Sequence, residues 1–176
     1  MIRRAVVMKK SAKVGLGVVG VLAEVAVSGA IIGSVTSVPV VGVTRETTAS
    51  REQVWELWAD VPDRTRWDAD LEYARLDGPF RAGSTSEVKL NGQPARKFLI
   101  TYCEPLEGYT DRFFLPFYGR MDRHHTISET RGGREVTFRI EVSGPTALIL
   151  APIMRNILQD DLPPSVDKLL TLAEEA

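Results

Sequence analysis

With 176 residues, 22 Lys and Arg against 23 Asp and Glu, and a formal net charge of −1, the chain has room for one ordinary domain plus an appendage. It lacks the basic excess of a nucleic-acid binder. Apolar residues make up 44%, enough for a core, and the lone cysteine, Cys103, excludes an intrachain disulfide.

No CxxC, HExxH, GxxxxGK(S/T) or GxSxG motif is present, and no repeat at a fixed period. The chain opens on basic residues, Arg3, Arg4, Lys9, Lys10 and Lys13, with no acid among them. From Val14 to Val43 the only charge is Glu24, and the run exceeds the roughly 20 residues that cross a bilayer. This predicts a signal anchor, or a signal peptide cut near Ser28, Gly29 and Ala30, with the basic end inside the cell and the remainder outside. Glu24 and the glycines oppose insertion. The alternatives are an apolar arm packed on a cytoplasmic domain, or an unused upstream start with Met8 as the true one. Pro39 is the expected boundary between this segment, 1–38, and a domain spanning 39–176.

After Pro39, alternating β-branched residues from Val41 to Thr47 predict a strand. Ser50 then has the position of an N-cap, with Gln53 at capping-box spacing. Val54, Leu57, Trp58 and Val61 form one apolar stripe before Pro62 stops the helix. Asp63 can cap a second turn that carries Trp67. Strands are expected over Leu71–Leu76, Ser84–Leu90 and Ala95–Cys103, the last two joined by a tight hairpin at Asn91-Gly92. Cys103 falls in an apolar strand, where an inert buried thiol is expected. Tyr109–Phe117 follows as a strand and ends in an aromatic cluster of Phe113, Phe114, Phe117 and Tyr118, expected at a cavity rim or in the core. Met121–Glu129 and Arg134–Ser143 form a hairpin about Gly132-Gly133. From Pro145 the period is helical, through Leu148, Ile149, Ile153, Ile157 and Leu158 to Val166, Leu169, Leu170 and Leu172. Pro163-Pro164 must kink or break that helix, and Pro152 acts more gently. Consecutive strands with helices segregated to the ends define an α+β fold.

The order of elements, with "DVPDRTRWDADL", "LDGPFRAGSTSEV", "ITYCEPLEGYTDRF" and "RGGREVTFRIEVSG" at their places, resembles the START/SRPBCC superfamily, in its polyketide cyclase/dehydrase-like branch. The resemblance covers about Val40 to Glu174. It implies a helix-grip fold, in which a curved antiparallel sheet wraps around a long C-terminal helix, and a deep cavity for an apolar ligand. The N-terminal apolar segment and Pro163-Pro164 depart from the pattern.

The hairpin about Gly132-Gly133 puts Met121, Arg123, His125 and Ile127 on one sheet face with Val136, Phe138, Ile140 and Val142. That second set is apolar, so Arg123 and His125 are expected to point inward. A buried charge there needs a partner or a ligand. Asp160 or Asp161 of the last helix is the expected partner for Arg123, and a backbone carbonyl for His125. A slip by one residue would bring in Asp122 and His124 instead. His124 and His125 point to opposite faces, and Asp68 and Asp70 have no His or Cys at ligand spacing, so neither metal nor cofactor is expected. The cavity implied by the resemblance would be lined by Trp58, Trp67, Tyr73, Phe98, Ile100, Tyr102 and Phe113. Met121, Arg123, His125, Phe138, Ile140, Ile153 and Ile157 would complete it. The leading expectation is a carrier or sensor of a small hydrophobic molecule, lipid or polyketide-like, acting as a monomer. The alternative is a cyclase or dehydratase with His125, Arg123, Tyr102 or Tyr73 as acid or oxyanion partner. A third is a membrane-tethered module that binds a protein through its aromatic rim.

Overall fold

The computed structural model describes residues 37–176. A seven-stranded antiparallel sheet has the order β1-β7-β6-β5-β4-β3-β2. The strands are β1 (Ser37–Thr47), β2 (Leu71–Asp77), β3 (Thr85–Leu90), β4 (Arg96–Glu104), β5 (Gly108–Leu115), β6 (Gly119–Thr130) and β7 (Gly133–Ser143). Between β1 and β2 lie helix α1 (Arg51–Ala59) and a 3₁₀ turn, Pro62–Arg66; after β7 come α2 (Ala147–Leu158) and α3 (Leu162–Glu174).

Helix α1 starts where its cap dictates. The Gln53 amide donates to Ser50 Oγ at 3.1 Å, and the Ser50 amide donates to Gln53 Oε1 at 2.7 Å. Its apolar stripe buries Val54 and Trp58 completely against Val166, Leu169 and Ala173 of α3 and the sheet residues Val136 and Phe138. Two further clusters divide the rest of the core. One forms under β2–β5 around Phe98, Ile100 and Phe113, the other between β1, β7 and α2 around Val40, Ile140 and Ala151.

Several expectations are corrected here. Strand β1 begins at Ser37, two residues before the expected boundary, with Ser37 opposite Ser143 and Val38 opposite Val142. The end of the apolar run is therefore an edge strand. Pro39 is tolerated there because the register shifts between Pro39 and Val41. The Arg155 guanidinium of α2 donates to the Pro39 and Val40 carbonyls at 2.8 and 2.9 Å, which ties the helix to the bulge. The anchor, signal or arm predicted for the first residues lies outside the described residues. Among the described residues no helix is long and apolar enough to cross a membrane.

The long C-terminal helix is broken, one of the two outcomes expected of Pro163-Pro164, into two helices. Pro163 and Pro164 open α3 rather than kink a longer one, since the first turn needs no amide donors. Pro152 sits within α2 without ending it. The Asn91-Gly92 turn is longer than the tight hairpin expected: β3 ends at Leu90 and β4 starts at Arg96, with Gly92 at φ 71. Strand β5 ends at Leu115, and Phe117 and Tyr118 take left-handed φ of 56 and 63 at the tip of its hairpin.

Candidate functional site

The sheet and the C-terminal helices enclose a cavity of about 560 Å³. Its floor comes from the alternation of β5, β6 and β7. Phe113 pairs with Met121, and Asp111 pairs with Arg123, which pairs in turn with Ile140; His125 pairs with Phe138. Its wall is Leu150, Met154, Ile157 and Leu158 of α2, with Leu162 and Ser165 of α3. Arg64, Trp67 and Asp68, from the 3₁₀ turn and the residues after it, close one end. Phe114 and Ile157 line the cavity while remaining 64% and 48% exposed, so the cavity meets solvent beside them.

The polar end is built around an ion pair. Arg123 Nε and Nη2 donate to the two carboxylate oxygens of Asp111 at 2.7 and 2.8 Å, and Asp111 is wholly buried. The guanidinium also lies 4.7 Å from the Phe113 ring centroid. Burial works against the charge on Arg123, but the Asp111 carboxylate outweighs it and holds the guanidinium protonated. The partner expected from the last helix, Asp160 or Asp161, is thus replaced by a carboxylate from the neighbouring strand. The register of β5 and β6 puts that carboxylate directly opposite.

His125 lies flat on Tyr109, with ring centroids 4.0 Å apart and planes 3° apart, and meets Phe138 and Trp58 edge-on. Burial first, then the Arg123 and Arg64 guanidiniums, hold its imidazole well below the usual histidine range, so it is neutral at pH 7. Burial pushes the Tyr109 phenol up to about 12. Strand β5 comes this close because residue 108 is glycine. A Cβ there would run into the His125 carbonyl. On the other face of β6, His124 Nδ1 meets Thr110 Oγ1 at 3.0 Å and Nε2 lies 3.3 Å from Glu141.

Arg64 is 2% exposed. It donates from Nε and Nη2 to the Trp58 carbonyl at 3.3 and 2.7 Å and stacks over the Tyr109 and Phe80 rings. Asp68 has its carboxyl pushed up, by burial against the opposing pull of Arg123.

Of the residues named from sequence, Trp67, Phe113, Met121, Arg123, His125, Phe138, Ile140 and Ile157 are on the cavity surface. Trp58, Phe98 and Ile100 are core residues behind it. Tyr102 and Tyr73 are elsewhere, and irregular pairing is the reason. The register shifts between Ile100 and Tyr102, so Ile100 points in and Tyr102 is 50% exposed. A similar shift between Leu71 and Tyr73 turns the Tyr73 hydroxyl to Glu87 at 2.8 Å, while Ala74 takes the buried side. Ile153 lies on the outer face of α2, 48% exposed. Phe117 and Tyr118 are 78% and 91% exposed rather than core. Cys103 is half-buried, its thiol 3.6 Å from the Phe80 carbonyl and its pKa raised by burial.

The sequence reading missed Asp111, Tyr109 and Arg64. Counting back from the Pro116–Tyr118 turn sets Asp111 opposite Arg123, so that pair had a signal. Arg64 sits in a 3₁₀ turn of polar residues, where no periodicity marks the inward side.

No family model matches the chain, and no curated protein does. Solved structures do. The di-domain ARO/CYC StfQ of the steffimycin biosynthetic pathway is similar at TM-score 0.65 and 12% identity, over 79% of this chain and 51% of that one. Ara h 8.0201 is similar at TM-score 0.64 and 7% identity, over 80% of this chain and 100% of its own. Protein NE0264 of Nitrosomonas europaea is similar at TM-score 0.62 and 12% identity, over 77% and 94%. At such identities these likenesses speak for the fold alone: the chain shares a helix-grip fold with them.

Proposed function

We propose that this domain binds a small hydrophobic molecule, lipid or polyketide-like, inside the sheet, as a carrier or sensor. The observation that carries the reading is the cavity of about 560 Å³, walled by Leu150, Met154, Ile157, Phe113 and Ile140 with a confined polar end. Such a space between sheet and helices, mostly apolar with a few convergent polar groups, is what a ligand pocket requires. The test is native mass spectrometry of the purified chain, with a co-purified small molecule as the expected result. A chain that arrives empty and takes up no apolar probe would overturn it.

A second reading, a cyclase or dehydratase, is favoured by one feature. A neutral imidazole, His125, and a carboxyl of raised pKa, Asp68, share the polar end with two guanidiniums. A neutral imidazole can accept a proton from a carbonyl substrate, and a carboxyl of raised pKa gives one up to it more readily than an ordinary carboxylate site does. The His125→Gln variant separates the two. A carrier converts nothing with or without the substitution, whereas an enzyme converts the co-purified molecule and His125→Gln abolishes that conversion.

A further inference from the structure

The polar end of the cavity carries more hydrogen-bond donors than acceptors. Trp67 Nε1, the Tyr109 hydroxyl and His125 Nδ1 are buried and have no partner. All three residues lie on the cavity surface, 6%, 1% and 4% exposed. The indole can only donate, and the phenol and imidazole are able to. Buried donors left unpaired are costly, and native proteins rarely keep several together.

Charge points the same way. Among the described residues Arg64 has no carboxylate within salt-bridge distance, and only the Trp58 carbonyl accepts from it. Asp111 is fully engaged by both nitrogens of Arg123. The acids on the cavity wall are Asp68, Asp70 and Asp161, and none of them is within salt-bridge distance of Arg64. Aromatic faces offset part of the cost of burying the Arg64 cation, but they do not supply a counter-charge.

Resting on the ligand-binding reading above, we infer that the ligand is an amphipathic acid. Its carboxylate is received by Arg64, the Tyr109 hydroxyl, His125 Nδ1 and Trp67 Nε1, and its apolar body extends along α2. A carboxylate is acceptor-only and takes several donors, which matches the unpaired set. A hydroxyl offers those donors one uncharged oxygen, and an amine adds donors and positive charge beside Arg64 and Arg123.

Calorimetric titration of the full chain with dodecanoate, methyl dodecanoate, dodecanol and dodecylamine tests this, since the four share one chain. Dodecanoate should bind about tenfold or more tighter than the other three, as charge-assisted hydrogen bonds are the strong ones. Tyr109→Phe, which removes only an unpartnered hydroxyl, should weaken dodecanoate several-fold and dodecanol by less, so that the preference for the acid narrows. Arg64→Gln should erase the preference for the acid. If it fails to fold, the wild-type series and Tyr109→Phe still decide. Equal affinity for acid and alcohol, or a preference for the amine, would overturn the head-group assignment and leave the cavity reading intact. Binding of none of the four, together with an empty chain in native mass spectrometry, would remove both.

Discussion

Arg123 is held by Asp111 more than it is offered to a ligand, and the stability of the fold depends on that pair. Arg123→Met leaves a wholly buried carboxylate uncompensated and should cost about 3–5 kcal/mol. The double variant Asp111→Leu/Arg123→Met should recover most of it, because the carboxylate is removed as well. Urea midpoints of the single and double variants check this; a single-variant loss of only about 1 kcal/mol would put the pair in the class of surface ion pairs. His125 gives a second measurable consequence. Its pKa in the folded chain lies well below that of the unfolded chain, about 6.5. The unfolded chain therefore binds a proton that the folded chain refuses as pH falls below about 6.5. Stability is full above that value and declines towards the lower folded pKa, by up to about 1.4 kcal/mol per pH unit from this group. Urea midpoints at pH 7.5, 6.5 and 5.5 should fall more steeply in wild type than in His125→Gln; parallel slopes would mean that His125 takes up its proton in the folded state.

At the scale of elements, α1 is the piece most fully written in local sequence. Its capping box and its buried Trp58 are short-range signals, and both are present in the structure; the helix ends at Ala59, short of the expected stop, and Pro62 instead opens the 3₁₀ turn with Val61 still in the α region. Trp58 has no exposed surface and packs edge-on against Tyr109, His125 and Phe138, so Trp58→Ala should cost about 3–5 kcal/mol. An unchanged thermal midpoint would separate the helix from the core assigned to it. The inward face of β6 and β7 was equally legible, because a long hairpin with unbroken alternation fixes every side chain at once. Tyr73 and Tyr102 were misread because a bulge adds a residue without any mark in the hydrophobic pattern. Half of the polar site was hidden for another reason. Asp111 is an acid in an apolar face, and it becomes reasonable only when the strand across from it is known to bring Arg123.

For the molecule as a whole, the sheet ends on β1, which pairs with β7 from Ser37–Ser143 to Thr47–Arg134. Residues 37–176 should therefore fold cooperatively when expressed alone, as a soluble monomer by size-exclusion chromatography with a single urea transition. Starting at residue 39 instead removes the Ser37 and Val38 pairings and should lower the midpoint. A molten or aggregated product from 37–176 would mean that the preceding segment completes the core.

The break between α2 and α3 divides the helical side into parts of unequal hold. Helix α3 buries Val166, Leu169, Leu170 and Ala173, whereas α2 buries only Ala147 and Ala151 and leans on Arg155 at the β1 bulge. Local opening free energies follow buried contact, so amide protons of α2 should exchange with deuterium well before those of α3. Since α2 is also the wall along Leu150, Met154 and Ile157, an occupant of the cavity should slow exchange in α2 and leave α3 beyond its first turn unchanged. The element that guards the interior is then the one that comes loose first, and the filled and empty chains differ most in how often it does.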